Sequence, residues 1–201
     1  AFRSMRKEMF EEVEEKLRQA NEEILHAHQS QTQLLKEYAS GTKIEMEINM
    51  EKAIFAAGCF WGVELNFSKI EGVIETLVGY IAGNTSNPTY EEVCSGRSGH
   101  AEAIEISYDP KVVSYEQLLD NLWKIHNPTT LNQQGPDVGT QYRSAIFYLN
   151  EEQKLAAEKS KAEINNSKKF NKPVVTEVCL ASEFWLAEEY HQQYLKKRNI
   201  T

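Results

Sequence analysis

Five consecutive apolar residues, Ala53–Ala57, stopped by Gly58, constrain this chain most. A run of that length that is apolar at odd and even positions suits a central strand buried on both sides, so the sheet containing it must be covered on both faces. Gly58 ends the run, and a short helix is expected from Cys59 or Phe60 to about Lys69.

The remaining pattern alternates in the same way. Strands are expected at Val73–Tyr80, Ala101–Tyr108 (closed by Asp109-Pro110), Ser144–Leu149 and Val174–Cys179. Helices are expected from Ser114, with Gln117 in capping-box register above Leu118, Leu119, Leu122 and Trp123, over Glu151–Asn165, and over Ser182–Lys197 as a closing element. Between Asn127 and Tyr142 runs a loop with no apolar period, and loops of that length inside compact domains are usually functional or disordered. This pattern indicates a two-layer α+β or α/β domain around a mixed β-sheet, and the α+β form, ferredoxin-like with packed helices, is the one expected.

Residues 1–49 read differently, with one glycine, no proline and apolar residues such as Met9, Val13, Leu17 and Ile24 at helical spacing. They are expected to form a helical N-terminal extension, or an added leader, ahead of the main domain at 50–201. Ala1–Ser4 before Met5 look like such an addition, with Met46 or Met50 as alternative starts.

A net charge of −8 without a basic cluster beyond Lys196–Arg198 argues against nucleic acid or an anionic membrane as partner. No apolar stretch approaches membrane-span length and the charged N-terminus lacks a signal-peptide core, so a cytoplasmic protein is expected. Its three cysteines, Cys59, Cys94 and Cys179, are widely spaced and resemble neither a disulfide framework nor a zinc site. No metal or other cofactor is expected.

Cys59 sits where the buried strand hands over to a helix. Unpaired N–H groups of the helix's first turn should face the sulfur and lower its pKa from about 8.5, favouring the thiolate. The competing reading is an inert packing cysteine. Phe60 and Trp61 crowd two rings beside the thiol between Gly58 and Gly62, as a pocket for a small alkyl group or simply as core, which is the reading for Phe67 and Trp123.

Strand alternation places Glu102 with Ile104, Ile106 and Tyr108 on an apolar face, where desolvation would keep its carboxyl protonated. A misjudged register, or pairing with Arg97 or Arg143, is the alternative. Tyr80 shares a face with Ile74 and Val78, and Tyr142 ends the long loop. Both phenols are candidates for holding an oxygen, or for purely structural roles.

Gly58-Cys59-Phe60-Trp61-Gly62 resembles the signature of the A-type peptide methionine sulfoxide reductases. The similarity continues through Asn87-Pro88-Thr89-Tyr90, Gly99-His100-Ala101-Glu102, Gly139-Thr140-Gln141-Tyr142-Arg143-Ser144 and Tyr190-His191-Gln192-Gln193-Tyr194, covering essentially residues 52–198. The resemblance implies reduction of methionine-S-sulfoxide, free and in proteins, as a repair of oxidative damage. Cys59 would attack the sulfoxide sulfur and Glu102 would protonate the departing oxygen, leaving Cys59 as sulfenic acid. Phe60 and Trp61 would cradle the substrate methyl, Tyr80 and Tyr142 would bond the oxygen, and Asp137 would organise the pocket.

The departure from the family concerns recycling. Many members carry resolving cysteines in a glycine-rich tail, whereas nothing after Cys179 is Cys or Gly. No resolving cysteine is expected, Cys94 and Cys179 read as structural, and thioredoxin or glutathione with glutaredoxin would regenerate Cys59 directly. Rival readings are a cysteine hydrolase activated by His100 or His191, a non-catalytic module binding methionine-rich peptides, and a metal site at His100, His126 and His191.

Overall fold

The computed structural model describes residues 18–19 and 50–200. Backbone contacts divide the chain into two units, 1–49 and 50–201. Of the first, residues 18 and 19 are helical, and the rest of the expected helical extension lies outside the described residues.

The second unit begins with β1 (Glu51–Ala57), α1 (Phe60–Phe67), β2 (Val73–Ile81), α2 (Tyr90–Cys94) and β3 (Ala101–Tyr108). It continues with α3 (Tyr115–Ile125), the small hairpin β4 (Gln133–Gln134) and β5 (Asp137–Val138), a 3-10 turn at Thr140–Tyr142, β6 (Ser144–Tyr148) and α4 (Glu151–Asn166). The chain closes with β7 (Glu177–Leu180), β8 (Trp185–Leu186) and 3-10 turns at Glu189–His191 and Lys196–Arg198.

The large sheet has six strands in the order β7-β6-β1-β3-β2-β8. All neighbours are antiparallel except β6 and β7. Helix α1 carries the chain from β1 to β2, leaving β3 to insert between them, which is the strand order of a split βαβ unit. The sheet is mixed and the fold is α+β.

β1 explains why both of its faces must be apolar. Ala53, Phe55 and Ala57 join Phe67 of α1, Leu118, Leu119, Leu122 and Trp123 of α3 and Ala157 of α4 in a core between sheet and helices. Ile54 and Ala56 point the other way, to a second cluster with Ala101, Ala103, Ala145 and Phe147 that is covered by Ala181 and Phe184. Ser114 caps α3 by accepting from Gln117 N–H, while the Gln117 side chain accepts from Ser114 N–H.

Three expectations fail for identifiable reasons. The segment Ser182–Lys197 is not a helix, because β8 pairs with the β2 edge (Gly79 opposite Leu186, Tyr80 opposite Trp185) and Gln192 completes that edge with its side chain. Gln192 Oε1 accepts from Val78 N–H at 2.9 Å and Nε2 donates to Val78 O at 2.9 Å, copying a strand's hydrogen bonds. The loop Asn127–Tyr142 is not structureless and folds into the β4–β5 hairpin. Ile74 does not share the buried face of Val78 and Tyr80, since an irregularity between Val73 and Glu75 leaves it 51% exposed.

Candidate active site

Cys59 occupies the N-cap position of α1. The turn that delivers it requires Gly58, whose φ is +94° and where an added Cβ would lie 2.6 Å from Gln134 Cβ in the β4–β5 hairpin. Gln134 is fixed in turn by two bonds to the Asn127 backbone, accepting from its N–H and donating to its carbonyl, each 3.1 Å long. The long loop is thereby tied to the base of Cys59.

The first N–H of α1 does not serve the sulfur. Phe60 N–H donates to Glu102 Oε2 at 3.0 Å, while the N–H groups of Trp61 and Gly62 reach Cys59. Glu102 projects from β3 into the interior and is 2% exposed. Arg143 is directed elsewhere, to Glu177 at 3.3 Å and to the carbonyls of Gly99 and Thr140, and the Arg97 guanidinium donates to Ser95. Neither alternative cation neutralises the carboxyl.

Burial pushes the Glu102 carboxyl up to about 7, opposed by the Phe60 N–H and reinforced by the charge on Asp137. Cys59 is displaced in the same direction, up to about 11, by burial and then by the Glu102 charge. The N–H groups of Trp61 and Gly62 pull it down without prevailing. The expected resting thiolate is therefore not what this environment favours, because a desolvated sulfur beside a carboxylate keeps its proton. The two groups are coupled, since removing the charge on Glu102 also removes part of what holds the proton on Cys59.

The remaining candidates gather around this pair. Tyr80 lies directly opposite Glu102 in the β2–β3 register and its ring packs 5.9 Å from Phe60. Its O–H donates to Glu188 Oε2 at 2.9 Å. Asp137, on β5, interacts electrostatically with Cys59, Glu102 and Tyr142. Tyr142 closes the 3-10 turn and is raised to about 12 by burial, with Glu102, Cys94, Asp137 and Cys59 contributing.

Trp61 is half-buried and held on two sides. Its Nε1–H donates to His191 Nδ1 at 3.0 Å, and its ring stacks on Tyr194 with centroids 3.8 Å apart and planes 7° from parallel. Arg198 covers the outer face of Tyr194 at 3.6 Å. Glu188, His191, Gln192 and Tyr194 therefore frame the site from the C-terminal segment, roles that sequence pattern had missed. A clue lay in the density of aromatic and amide side chains, which a solvated helix face does not need.

The histidine rivals are engaged in other work. His100 Nδ1 accepts from Gly83 N–H (3.1 Å) and Nε2 donates to Thr85 O (2.8 Å), fixing the turn after β2. His126 bonds Leu122 O and Ser144 Oγ, both at 2.7 Å. Among the described residues no group of three His, Cys, Asp or Glu could hold a metal ion. Nor is any described helix long and apolar enough to cross a membrane. Cys59, Cys94 and Cys179 are all free: Cys94 ends α2 with a hydrogen bond to Tyr90, and Cys179 lies in β7 against the sheet face away from the helices.

Comparison with known proteins accounts for this arrangement. The family model "Peptide methionine sulfoxide reductase" matches residues 51–200. A second model, "PTS system, Lactose/Cellobiose specific IIA subunit", matches residues 1–53. The chain is 59% identical over 151 residues to peptide methionine sulfoxide reductase MsrA of Methanosarcina acetivorans, covering 75% of this chain and 80% of that protein. Reduced Mxr1 of Saccharomyces cerevisiae superimposes with a TM-score of 0.72 at 36% identity, covering 77% of this chain and 88% of that one. Methionine sulfoxide reductase A of Corynebacterium diphtheriae gives 0.66 at 35% identity, over 76% of this chain and 77% of that one. With a cysteine and a neutralisable carboxyl converging on one helix terminus, the chain belongs to the peptide methionine sulfoxide reductase family.

Proposed function

We propose that this protein reduces methionine-S-sulfoxide, free and within proteins, to methionine, with Cys59 as nucleophile and Glu102 as the acid that protonates the leaving oxygen. The observation that carries the reading is the Phe60 N–H bond to Glu102, which holds the carboxyl against the residue next to the nucleophile.

Both groups lose protons reluctantly, so the pair acts on one shared proton. At neutral pH Glu102, poised near 7, takes the proton of Cys59 as the thiol approaches the sulfoxide sulfur, and the resulting thiolate attacks. Glu102 then passes the proton to the sulfoxide oxygen, which leaves the substrate sulfur, now bonded to Cys59 Sγ, as hydroxide; hydroxide attacks Cys59 Sγ, and the S–S bond breaks with its electron pair on the departing thioether. Overall, Cys59–SH and the sulfoxide become Cys59–SOH and the thioether. The substrate sulfur is reduced, Cys59 is oxidised, and the oxygen changes partner.

Phe60 and Trp61 cradle the substrate methyl, Tyr80 and Tyr142 meet the oxygen, and Asp137 supports the charge balance of the pocket. An external thiol, from thioredoxin or from glutathione with glutaredoxin, attacks the sulfenic acid to give a mixed disulfide and water, and a second thiol frees Cys59. The three free cysteines suit a reducing compartment, and we place the protein in the cytoplasm as a repair enzyme under oxidative stress. No cofactor takes part in this chemistry.

Turnover of each sulfoxide epimer with monothiol and dithiol reductants tests the reading. The S epimer should be consumed by the wild-type protein and not by C59S, and activity persisting in C59S would refute it. A disulfide from Cys59 to Cys94 or Cys179 after one turnover would refute direct recycling by an external thiol.

A further inference from the structure

One turn beyond Trp61, α1 carries a second buried carboxylate, which the proposed chemistry leaves unused. Glu64 is 2% exposed. Its Oε2 accepts from the Gln193 N–H at 2.7 Å and its Oε1 from the Thr76 hydroxyl at 3.3 Å, so one side chain joins α1 to β2 and to the C-terminal segment. Burial pushes the carboxyl above its ordinary range, opposed first by the Gln193 N–H, then by the Thr76 hydroxyl and the charges of Lys197 and Lys196. A carboxylate is costly to bury, and an apolar side chain would pack on α1 without that cost.

Gln193 is the residue at which the C-terminal segment changes direction. Its φ is +50°, in the left-handed region that a residue with a side chain enters when its surroundings hold it there. Before it, His191 Nδ1 accepts from the Trp61 indole and the Gln192 side chain pairs with Val78. After it, Tyr194 stacks on the same indole. The bond from Gln193 N–H to Glu64 fixes the turn between these two contacts. We propose that Glu64 is a positioning residue for Trp61, whose indole it holds in the site by fixing the turn at Gln193 and with it the Tyr194 stack.

The inference rests on the reading of Trp61 as a wall of the substrate pocket. A half-buried indole free to rotate must be ordered each time substrate binds, and a ring held in advance avoids that cost. The effect therefore falls on binding. The proton shared by Cys59 and Glu102 is governed by burial, by the N–H groups of Phe60, Trp61 and Gly62 and by Asp137, so loss of Glu64 should spare kcat.

Two measurements test this on wild-type protein, E64L, E64Q, Y194L and W61L: exchange of the indole N–H protons with solvent, followed by proton–nitrogen NMR, and steady-state turnover of methionine-S-sulfoxide with dithiothreitol. The Trp61 signal is the one missing from W61L. In E64L it should exchange about tenfold faster while that of Trp123, bonded to Ser160 in the core, is unchanged, and KM should rise roughly fivefold at a kcat within about twofold of wild type. E64Q keeps an acceptor for the Gln193 N–H and should match wild type in both measurements. Y194L removes the stack directly and should reproduce E64L, which keeps the inference testable if E64L does not fold. Wild-type exchange of Trp61 in E64L or Y194L, an E64Q that behaves as E64L, or a fall in kcat at unchanged KM would overturn the inference. Wild-type KM in W61L would instead overturn the reading of Trp61 beneath it.

Discussion

The backbone N–H of Phe60 is spent on Glu102, not on the sulfur of Cys59 one residue before it. A helix terminus next to a cysteine ordinarily suggests a device for making thiolate, and the remaining N–H groups of that turn do reach Cys59. The first one instead steadies a carboxyl that burial has already brought close to neutrality. The site is thus organised around the acid as much as around the nucleophile, and its reactive proton belongs to the pair.

That arrangement sets the pH dependence. The reactive state carries one proton on Cys59 and Glu102 together, and it is populated above the Glu102 value of about 7 and below the Cys59 value of about 11. With a saturating reductant, kcat/KM for methionine-S-sulfoxide should rise through pH 7 and fall again toward pH 11. E102Q should lose the lower limb together with most of the activity. A wild-type profile that falls through pH 7 would mean that Cys59 ionises independently.

Glu102 also bears on stability. Its folded-state pKa stands above the ordinary carboxylate value of about 4.5, so the folded protein binds the extra proton and stability falls as pH rises from about 4.5 through 7. E102Q, which carries no charge to desolvate, should match the wild-type protein near pH 4 and exceed it above pH 8 by on the order of 3 kcal/mol. Urea denaturation at the two pH values checks this, and equal differences at both would contradict it.

His191 should matter through Trp61. Replacing it by Leu removes the acceptor for Trp61 Nε1, leaving that indole held by the Tyr194 stack alone. If Trp61 cradles the substrate methyl, H191L should raise KM roughly fivefold, the order expected for one lost hydrogen bond, while kcat is largely kept. A tenfold fall in kcat at constant KM would place His191 in the chemistry instead.

Gly58 is predicted to resist any side chain. Ala there must hold φ near +94° and intrude on Gln134, so G58A should lower stability by about 2 kcal/mol or more, seen as a lower midpoint in thermal denaturation. Activity should fall further than stability alone requires, because the displaced hairpin carries Asp137.

Legibility from sequence followed the locality of the forces. Ala101–Tyr108 could be read residue by residue because strand alternation and a terminal Asp-Pro are local signals, and Ser114 announced α3 through a capping box completed within one turn. Burial of Glu102 was legible for the same reason. The resting charge of Cys59 was not, because it depends on how deeply the sulfur is buried and on a carboxylate 43 positions away (59 to 102). The C-terminal segment misled most. Its spacing suits a helix, but its backbone and side chains are taken up by the β2 edge, Glu64 and Trp61, partners distant in the chain.

Single turnover without any thiol reductant tests the central claim most directly. One equivalent of methionine per chain should appear, a cyclic-dione probe should then label Cys59 as sulfenic acid, and E102Q should give neither while its Cys59 still alkylates. A full burst in E102Q, or label on Cys94 or Cys179, would contradict the account.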